Sequence, residues 1–209
     1  MTVVNTLTVT SIVLFAGFAG AAAADKEPHF APGAAASYPT RQTNDKVTVA
    51  AVPYVSADQV RSAFGSKLDP NRYGILPLLI VIQNDGSQTL RFDSMRVEYI
   101  ATDGRHVDAT AAKDVPYLSG AREPRIENGP IPGKGTHIKK VKNPLANGEI
   151  GARAFSAPVL PPGDQASGFF YFQTGHRLGA KAYITGIKES ATGKELLYFE
   201  IPLSNDGSP

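Results

Sequence analysis

The feature that most constrains the fold is an apolar run in the middle of the chain, from Ile75 to Ile82. It is too short for a typical helix and rich in β-branched residues, which favours a strand. Both alternate sets of side chains are apolar, so neither face of this strand can face water. The run therefore predicts a central strand that is covered on both sides. Pro77 has no N–H to donate, so it should lie near the start of the strand or face no partner.

The residues that follow predict a turn and a second strand. The sequence Asn-Asp-Gly-Ser at 84–87 supplies turn formers that tolerate positive φ. Met95, Val97 and Tyr99 then alternate with polar residues, which indicates a strand with one buried face and one solvent-exposed face. A turn at Asp103 leads to a further strand near His106. We take residues 73–106 as the centre of a β core.

The rest of the folded region extends this pattern. Ser56, with Gln59 three residues later, predicts a capped two-turn helix that stops at Gly65. Further strands are predicted at 46–54, 155–160, 167–173, 181–188 and 195–203, the last with Leu197, Phe199, Ile201 and Leu203 on one face. The predicted fold is all-β: a single antiparallel immunoglobulin-like β-sandwich over residues 46–204, with one short helix and a long Pro/Gly-rich loop.

The N-terminal residues indicate export. Residues 1–24 carry no charged side chain, contain an apolar segment and end in four alanines before Asp25. This predicts a signal peptide cleaved after Ala24, with small residues at Ala22 and Ala24, although no Lys or Arg precedes the apolar segment. The alternative is an uncleaved anchor, but the apolar segment is shorter than the ~20 residues that a bilayer needs. Residues 25–45 are predicted to be a flexible linker. We therefore expect a periplasmic or extracellular protein with no stable membrane span after cleavage.

A long loop over residues 111–150 is the predicted site of recognition. Loops of this length in compact domains are usually functional or disordered. This one could also cover the second face of the central strand. It carries a basic cluster, whose predicted partner is an envelope protein or an anionic polymer bearing phosphate or carboxylate groups. A solvated loop with no ligand is the alternative. The possible partner-binding residues are Lys134, His137, Lys139, Lys140 and Lys142.

Nucleic acid is not an expected partner. The formal net charge of the chain is only +2, and no aromatic residue lies between the lysines to stack on bases.

No catalytic, metal or cofactor signature is present in the sequence. With no cysteine, the chain has no disulfide, thiolate ligand, cysteine nucleophile or lipid-acceptor cysteine. The segment around Lys134 does not match a phosphate-binding loop, because Asn128 replaces the first glycine and Gly135 replaces the required Ser or Thr. The four histidines are scattered, and the aspartates at 103, 108 and 114 are interpreted as turn residues. We therefore predict no cofactor and no enzymatic activity.

Two other functional classes stay open at this stage. One is a small hydrolase or metal-dependent enzyme whose site is assembled from separate loops, and the other is a pilus-type assembly chaperone. Tyr198, which should point outward from the last strand, is a candidate contact residue. The four rings at 169–172 could line a groove, but burial in the core explains them equally well.

The strand and turn sequences together resemble a family of uncharacterised bacterial exported proteins. The residues that carry the resemblance run from Tyr73 to Asn84, then Asp103-Gly, Leu160-Pro-Pro-Gly, Gly168-Phe-Phe-Tyr-Phe and Leu196-Leu-Tyr-Phe-Glu-Ile-Pro. More loosely, they are similar to secreted immunoglobulin-like sandwiches. The resemblance covers residues 46–203, and it implies fold and export without implying any catalytic residue.

Overall fold

A computed structural model describes residues 30–118 and 143–204 of the chain. This part is mostly β, with antiparallel sheets and a few short helices. No described helix has the length and apolar character that crossing a bilayer demands. The elements in chain order are β1 (Arg41–Asn44), β2 (Val47–Pro53), α1 (Ala57–Phe64), β3 (Leu76–Asn84), β4 (Leu90–Arg91), β5 (Arg96–Ile100), β6 (His106–Asp108), α2 (Gly148–Ala152), β7 (Val159–Leu160), β8 (Gln165–Phe172), β9 (Lys181–Thr185), β10 (Lys188–Glu189) and β11 (Phe199–Pro202). Single 3-10 turns lie at Ala35–Ser37, Pro70–Tyr73, Val115–Tyr117 and Pro144–Ala146.

Two four-stranded antiparallel sheets share one apolar core. Their strand orders are β1-β2-β3-β8 and β11-β9-β5-β6, and a small sheet β10-β4-β7 lies beside them. The core is built from the alternate side chains that each strand turns inward, as Ile80 of β3 and Tyr99 of β5 illustrate. The predicted strands at 75–83, 94–101 and 167–173 are confirmed as β3, β5 and β8.

The central strand β3 is buried on both faces, as its sequence predicts. One face joins the core between the sheets, and the other enters a second apolar cluster with α1 and the 3-10 turns. Val115, Leu145 and Ile150, which belong to the described flanks of the predicted long loop, are buried in this second cluster. The flanks therefore help to cover β3, while residues 119–142 lie outside the described part. Pro77 is the second residue of β3, where a missing donor is tolerated.

Helix α1 forms as the sequence predicts. The Ser56 side chain accepts a hydrogen bond from the Gln59 N–H at 3.2 Å, and the Gln59 side chain accepts one from the Ser56 N–H at 3.2 Å. This reciprocal pair satisfies two N–H groups that the first turn leaves free. The helix ends at Gly65, and Val60 and Phe64 bury its apolar side.

Three details of the sequence-based prediction are wrong. Residues 35–44, assigned to a linker, instead contain a 3-10 turn, whose first residue Ala35 is buried, and strand β1, which pairs with β2. A second helix, α2, begins within the predicted loop, where the Asn147 side chain caps the Glu149 N–H at 3.1 Å. In the last strand, Leu197 is 68% exposed and Leu196 is buried instead, because the chain leaves the sheet between Glu195 and Phe199.

Candidate functional site

The predicted basic cluster lies outside the described residues. Its members are Lys134, His137, Lys139, Lys140 and Lys142. Lys142 directly precedes Asn143, which is the first described residue after the gap. The structure does describe the surface around Leu118 and Asn143, the last residue before the gap and the first residue after it.

The two flanks of the long loop are held together. The Asn143 amide donates to the carbonyl of Pro116, and its side-chain oxygen accepts from the Leu145 N–H at 3.0 Å. The 3-10 turns Val115–Tyr117 and Pro144–Ala146 therefore lie side by side on the second cluster. The two described flanks, up to Leu118 and from Asn143, therefore lie at one place on the molecule.

A basic groove lies close to this place. It consists of two adjoining depressions of ≈ 560 and ≈ 160 Å³ that both border Arg61, Gly65, Ser66 and Lys67. One side of the groove is α1 and the loop after it, and the other is α2 with the residue that follows it, Arg153. We use the name basic groove for this surface. Its charged lining is Arg61, Lys67, Arg72, Arg153, Asp69 and Glu149.

Cations exceed carboxylates in the basic groove. Arg153 pairs with Glu149 at 3.1 Å and Arg72 pairs with Asp69 at 3.2 Å. Arg61 pairs with Asp58, outside the lining, at 3.2 Å between two exposed groups. Lys67 forms no ion pair with any residue in the described ranges. The Arg61 and Arg72 guanidinium groups are exposed, and exposed pairs exchange easily with solvent and ligands, so an incoming anion could pair with these two cations and with Lys67. The Arg153–Glu149 pair is only partly exposed.

The wall of the groove that carries Arg153 is fixed to the core. The Tyr171 hydroxyl donates to the carbonyl of Ile150 at 2.8 Å, and the Ile150 side chain is buried. Burial raises the pKa of Tyr171 well above its usual range, so the hydroxyl keeps the proton that it donates. The Arg153 guanidinium lies 5.5 Å from the ring centre of Phe30, a cation–π contact that holds the side chain over the surface.

Sequence reasoning did not find the residues of the groove. Arg61 lies in α1, Lys67 in the loop after it and Arg72 in the 3-10 turn Pro70–Tyr73, and no local motif marks these residues as a site. Arg153 follows α2, in a distant part of the chain. The position of α2 beside α1 brings Arg153 to the surface that the other three cations occupy.

The other residues that the sequence singled out lie in separate places. His106 contacts Glu98 at 2.6 Å on the outer face of β5 and β6, and His176 contacts the Tyr99 hydroxyl at 3.5 Å. The Asp103 carboxylate accepts from the Arg105 N–H at 3.0 Å, as expected of a turn residue. Within 30–118 and 143–204, no three His, Asp or Glu side chains come together as a metal site would require.

The aromatic residues also have distinct positions. Phe169, Tyr171 and Phe172 are buried, and Phe169 is the hub of a ring cluster with Phe30, Tyr54 and Phe64. Tyr198 is 51% exposed, and its ring centre lies 5.4 Å from that of Tyr183.

Comparisons with known proteins give little beyond this description. No family model matches the chain, and no curated protein matches it. Among solved structures, the chain is similar to a proposed lipoprotein (ycdA) from Bacillus subtilis, with 9% identity, a TM-score of 0.37 and coverage of 78% of this chain but only 38% of that one. It is also similar to the proposed ApaA protein from Bordetella pertussis, with 12% identity, a TM-score of 0.35 and coverage of 78% of this chain and 95% of that one.

Proposed function

We propose that this protein is an exported, non-catalytic binding module of the cell envelope that recognises an anionic ligand. The observation that carries the proposal is the basic groove, in which four cations from two separate parts of the chain line one surface with two carboxylates. The ligand class is a polymer or protein surface bearing phosphate or carboxylate groups, since such groups match guanidinium and ammonium donors.

The neighbouring loop supports the same ligand class. The predicted basic cluster ends at Lys142, and Asn147, five residues further on, lines the groove. We infer that the cluster and the groove contact one extended anion. Exposed cations of this kind attract ligands over a distance comparable to the Debye length, about 8 Å at physiological ionic strength.

The proposal also covers the type of β-sandwich, the removal of the signal peptide and the location of the mature protein. We propose an immunoglobulin-like sandwich, which is supported by two antiparallel four-stranded sheets around one core. We also propose that the signal peptide is removed after Ala24, and that the mature protein is periplasmic or extracellular. The folded domain would then extend from about Phe30, the first residue that packs on the ring cluster, to about Ser204. Intact-mass analysis of exported protein should show that the mature chain starts at Asp25.

Binding to purified polyanions tests the function. The mature chain is titrated onto immobilised polyphosphate, polygalacturonate and neutral dextran at low and physiological salt. We expect binding to one or both polyanions, weakening as salt rises, and no binding to dextran. The two polyanion arms distinguish phosphate from carboxylate recognition. The proposal is wrong if the wild-type chain binds neither polyanion at low salt.

Two charge-matched triple variants locate the site. The first variant combines Arg61→Gln, Lys67→Gln and Arg153→Gln and so removes three cations from the groove. We expect this variant to bind the polyanion at least tenfold more weakly, which corresponds to a loss of about 1.4 kcal/mol or more. The control variant combines Arg105→Gln, Arg177→Gln and Lys194→Gln, which removes three exposed cations elsewhere, and it should change affinity by less than about threefold. Equal losses in the two variants would assign binding to net charge and exclude the groove.

A further inference from the structure

A second cleft opens between the two large sheets, away from the basic groove. It has a volume of ≈ 590 Å³ and lies between the start of β5, the segment that follows β6 and the middle of β8. We call it the seam cleft. Two aromatic rings form its floor, since Phe155 and Phe170 stack at a centroid distance of 5.6 Å and an interplanar angle of 29°. Both side chains are only partly buried, so the cleft leaves part of an aromatic surface uncovered.

Two segments that attach to the edge of β8 border the seam cleft. After Asp108 the chain crosses to β8, where the Thr110 N–H donates to the carbonyl of Tyr171 at 2.7 Å. Two residues away on β8, the Phe155 N–H donates to the carbonyl of Phe169 at 3.2 Å. The part of the lining that these segments supply includes four alanines: Ala109, Ala111, Ala112 and Ala154. Because the side chain of alanine is a single methyl group, the space between the segments stays open.

The floor of the seam cleft is held in place by its surroundings. A Cβ placed on Gly168 of β8 would lie 2.3 Å from the Cα of Phe155, so only glycine allows the two backbones to lie so close. The Phe155 ring also makes an edge contact with Phe92, at 5.4 Å between centroids. A ligand that stacks on this floor therefore does not have to order it, which favours binding.

Arg96 and Asp108 place opposite charges at the rim of the seam cleft. Both residues are exposed and both line the cleft. Glu98 of β5 pairs with Asp108 of β6, and side chains alternate along a strand, so Arg96 is a diagonal neighbour of Asp108 on the same face. Diagonal neighbours lie about 7–8 Å apart, which lets one small ligand contact both side chains. Neither side chain forms an ion pair with any residue of 30–118 or 143–204.

We propose that the seam cleft binds a free aromatic amino acid, whose ring stacks on the Phe155–Phe170 floor while its carboxylate pairs with Arg96 and its ammonium group pairs with Asp108. Aromatic rings attract one another in offset arrangements, and the volume and apolar floor of the cleft are typical of a small-molecule site. The guanidinium of Arg96 can donate two parallel hydrogen bonds to a carboxylate, and the carboxylate of Asp108 can accept from an ammonium group.

The two rim charges favour a ligand that carries both signs. An aromatic acid without an amine would bring its negative charge close to Asp108, and an aromatic amine without an acid would bring its positive charge close to Arg96. A zwitterion satisfies both residues at once. This ligand has no net charge and differs from the polyanion of the basic groove, so the inference does not depend on the proposed function.

The test is an NMR titration of the mature chain with L-phenylalanine and three analogues. Of these, 3-phenylpropanoate lacks the ammonium group, 2-phenylethylamine lacks the carboxylate and L-alanine lacks the ring. We expect L-phenylalanine to give saturable shifts of the amide signals of Ala111, Phe155 and Phe170. The two analogues that keep the ring should bind at least threefold more weakly, and L-alanine should give no saturable shift.

Two charge variants assign the rim residues their roles. Arg96→Gln should weaken binding of L-phenylalanine and 3-phenylpropanoate at least threefold without weakening 2-phenylethylamine. Asp108→Asn should weaken binding of L-phenylalanine and 2-phenylethylamine at least threefold without weakening 3-phenylpropanoate. If each variant affects all three ring compounds equally, or if either single-charge analogue binds the wild type as tightly as L-phenylalanine, recognition of a zwitterion is wrong.

Two tryptophan variants locate the ring. Ala111→Trp fills the cleft from its exposed wall and should lower the affinity for L-phenylalanine at least tenfold. Ala191→Trp, an equally exposed change in the turn after β10, should leave the affinity unchanged. Equal effects of the two variants, no saturable shift with L-phenylalanine, or binding of L-alanine as tight as that of L-phenylalanine would overturn the site itself.

Discussion

Asn84 shows how one buried side chain can hold a turn together. It is fully buried at the end of β3. Its amide donates to the carbonyls of Gln88 at 2.8 Å and Leu160 at 3.1 Å, and its oxygen accepts from the Gly86 N–H at 3.1 Å. The sequence predicted this turn from residues that tolerate positive φ, yet none of residues 84–87 has a positive φ. The turn depends on the side chain instead.

Replacing Asn84 should therefore cost far more than replacing an exposed asparagine. Asn84→Ala leaves the buried Leu160 carbonyl, the partly buried Gln88 carbonyl and the Gly86 N–H without their partners, and we expect it to lower the free energy of unfolding by about 3 kcal/mol. Asn44→Ala, which loses an exposed bond of 3.0 Å to the Tyr198 carbonyl and a long bond of 3.3 Å from the Gln42 amide, should cost under about 1 kcal/mol. Urea unfolding of the two variants measures the difference. Equal effects would mean that the turn is held by its backbone alone.

Buried tyrosines make stability sensitive to alkaline pH. Burial raises the pKa of Tyr54 and of Tyr171 well above the value of an exposed tyrosine, with the neighbouring Tyr38 adding to the effect at Tyr54. The unfolded chain releases these protons near pH 10, whereas the folded chain retains them. The stabilisation is complete below pH 10 and is lost as pH rises above it.

The corresponding prediction compares two pH values. Urea unfolding of the wild type should show a clear loss of stability between pH 9 and pH 11. Tyr54→Phe removes one of the tyrosines whose pKa burial raises, so its loss of stability over the same interval should be smaller. Identical pH dependence in the variant and the wild type would show that Tyr54 ionises at its ordinary pKa in the folded state.

At the scale of elements, β8 depends on a glycine that no turn requires. Gly168 lies inside the strand where the backbone of Phe155 crosses it, leaving no room for a Cβ. We expect Gly168→Ala to cost about 1–3 kcal/mol, as overpacked core positions do. Gly151 lies inside α2 with open space around it, so Gly151→Ala should stabilise the protein by about 0.5–1 kcal/mol through helix propensity. Thermal unfolding of the pair distinguishes steric crowding from a general effect of losing glycine.

Elements with a local signal could be predicted, and elements that depend on distant residues could not. The apolar run of β3 and the capping box at Ser56 are local, and both are confirmed. Strand β1 has no apolar alternation because it lies at a sheet edge, so its sequence resembles a linker. Helix α2 contains two glycines and depends on its Asn147 cap and on burial of Ile150. The exposed position of Leu197 follows from a break in pairing that an alternating sequence does not reveal.

At the scale of the whole molecule, burial of β3 on both faces places a helical layer over one side of the sheet. The basic groove lies on that helical layer. The basic groove could not be found from sequence because its cations are up to 92 residues apart, from Arg61 to Arg153. The sequence did place basic residues in the adjoining loop, and their role in binding remains a prediction.

The most direct test of the central claim is an NMR titration of the mature chain with short-chain polyphosphate and, separately, with oligogalacturonate at low salt. Our account predicts saturable shifts of the amide signals of residues 61–67 and 147–153 with at least one of the two ligands, reversed by physiological salt. The amide signals of Glu98, Tyr183 and Glu200, which lie side by side on the outer face of β5, β9 and β11, should not shift. Shifts confined to that outer face, or no saturable shift with either ligand, would contradict the basic groove as the site of binding.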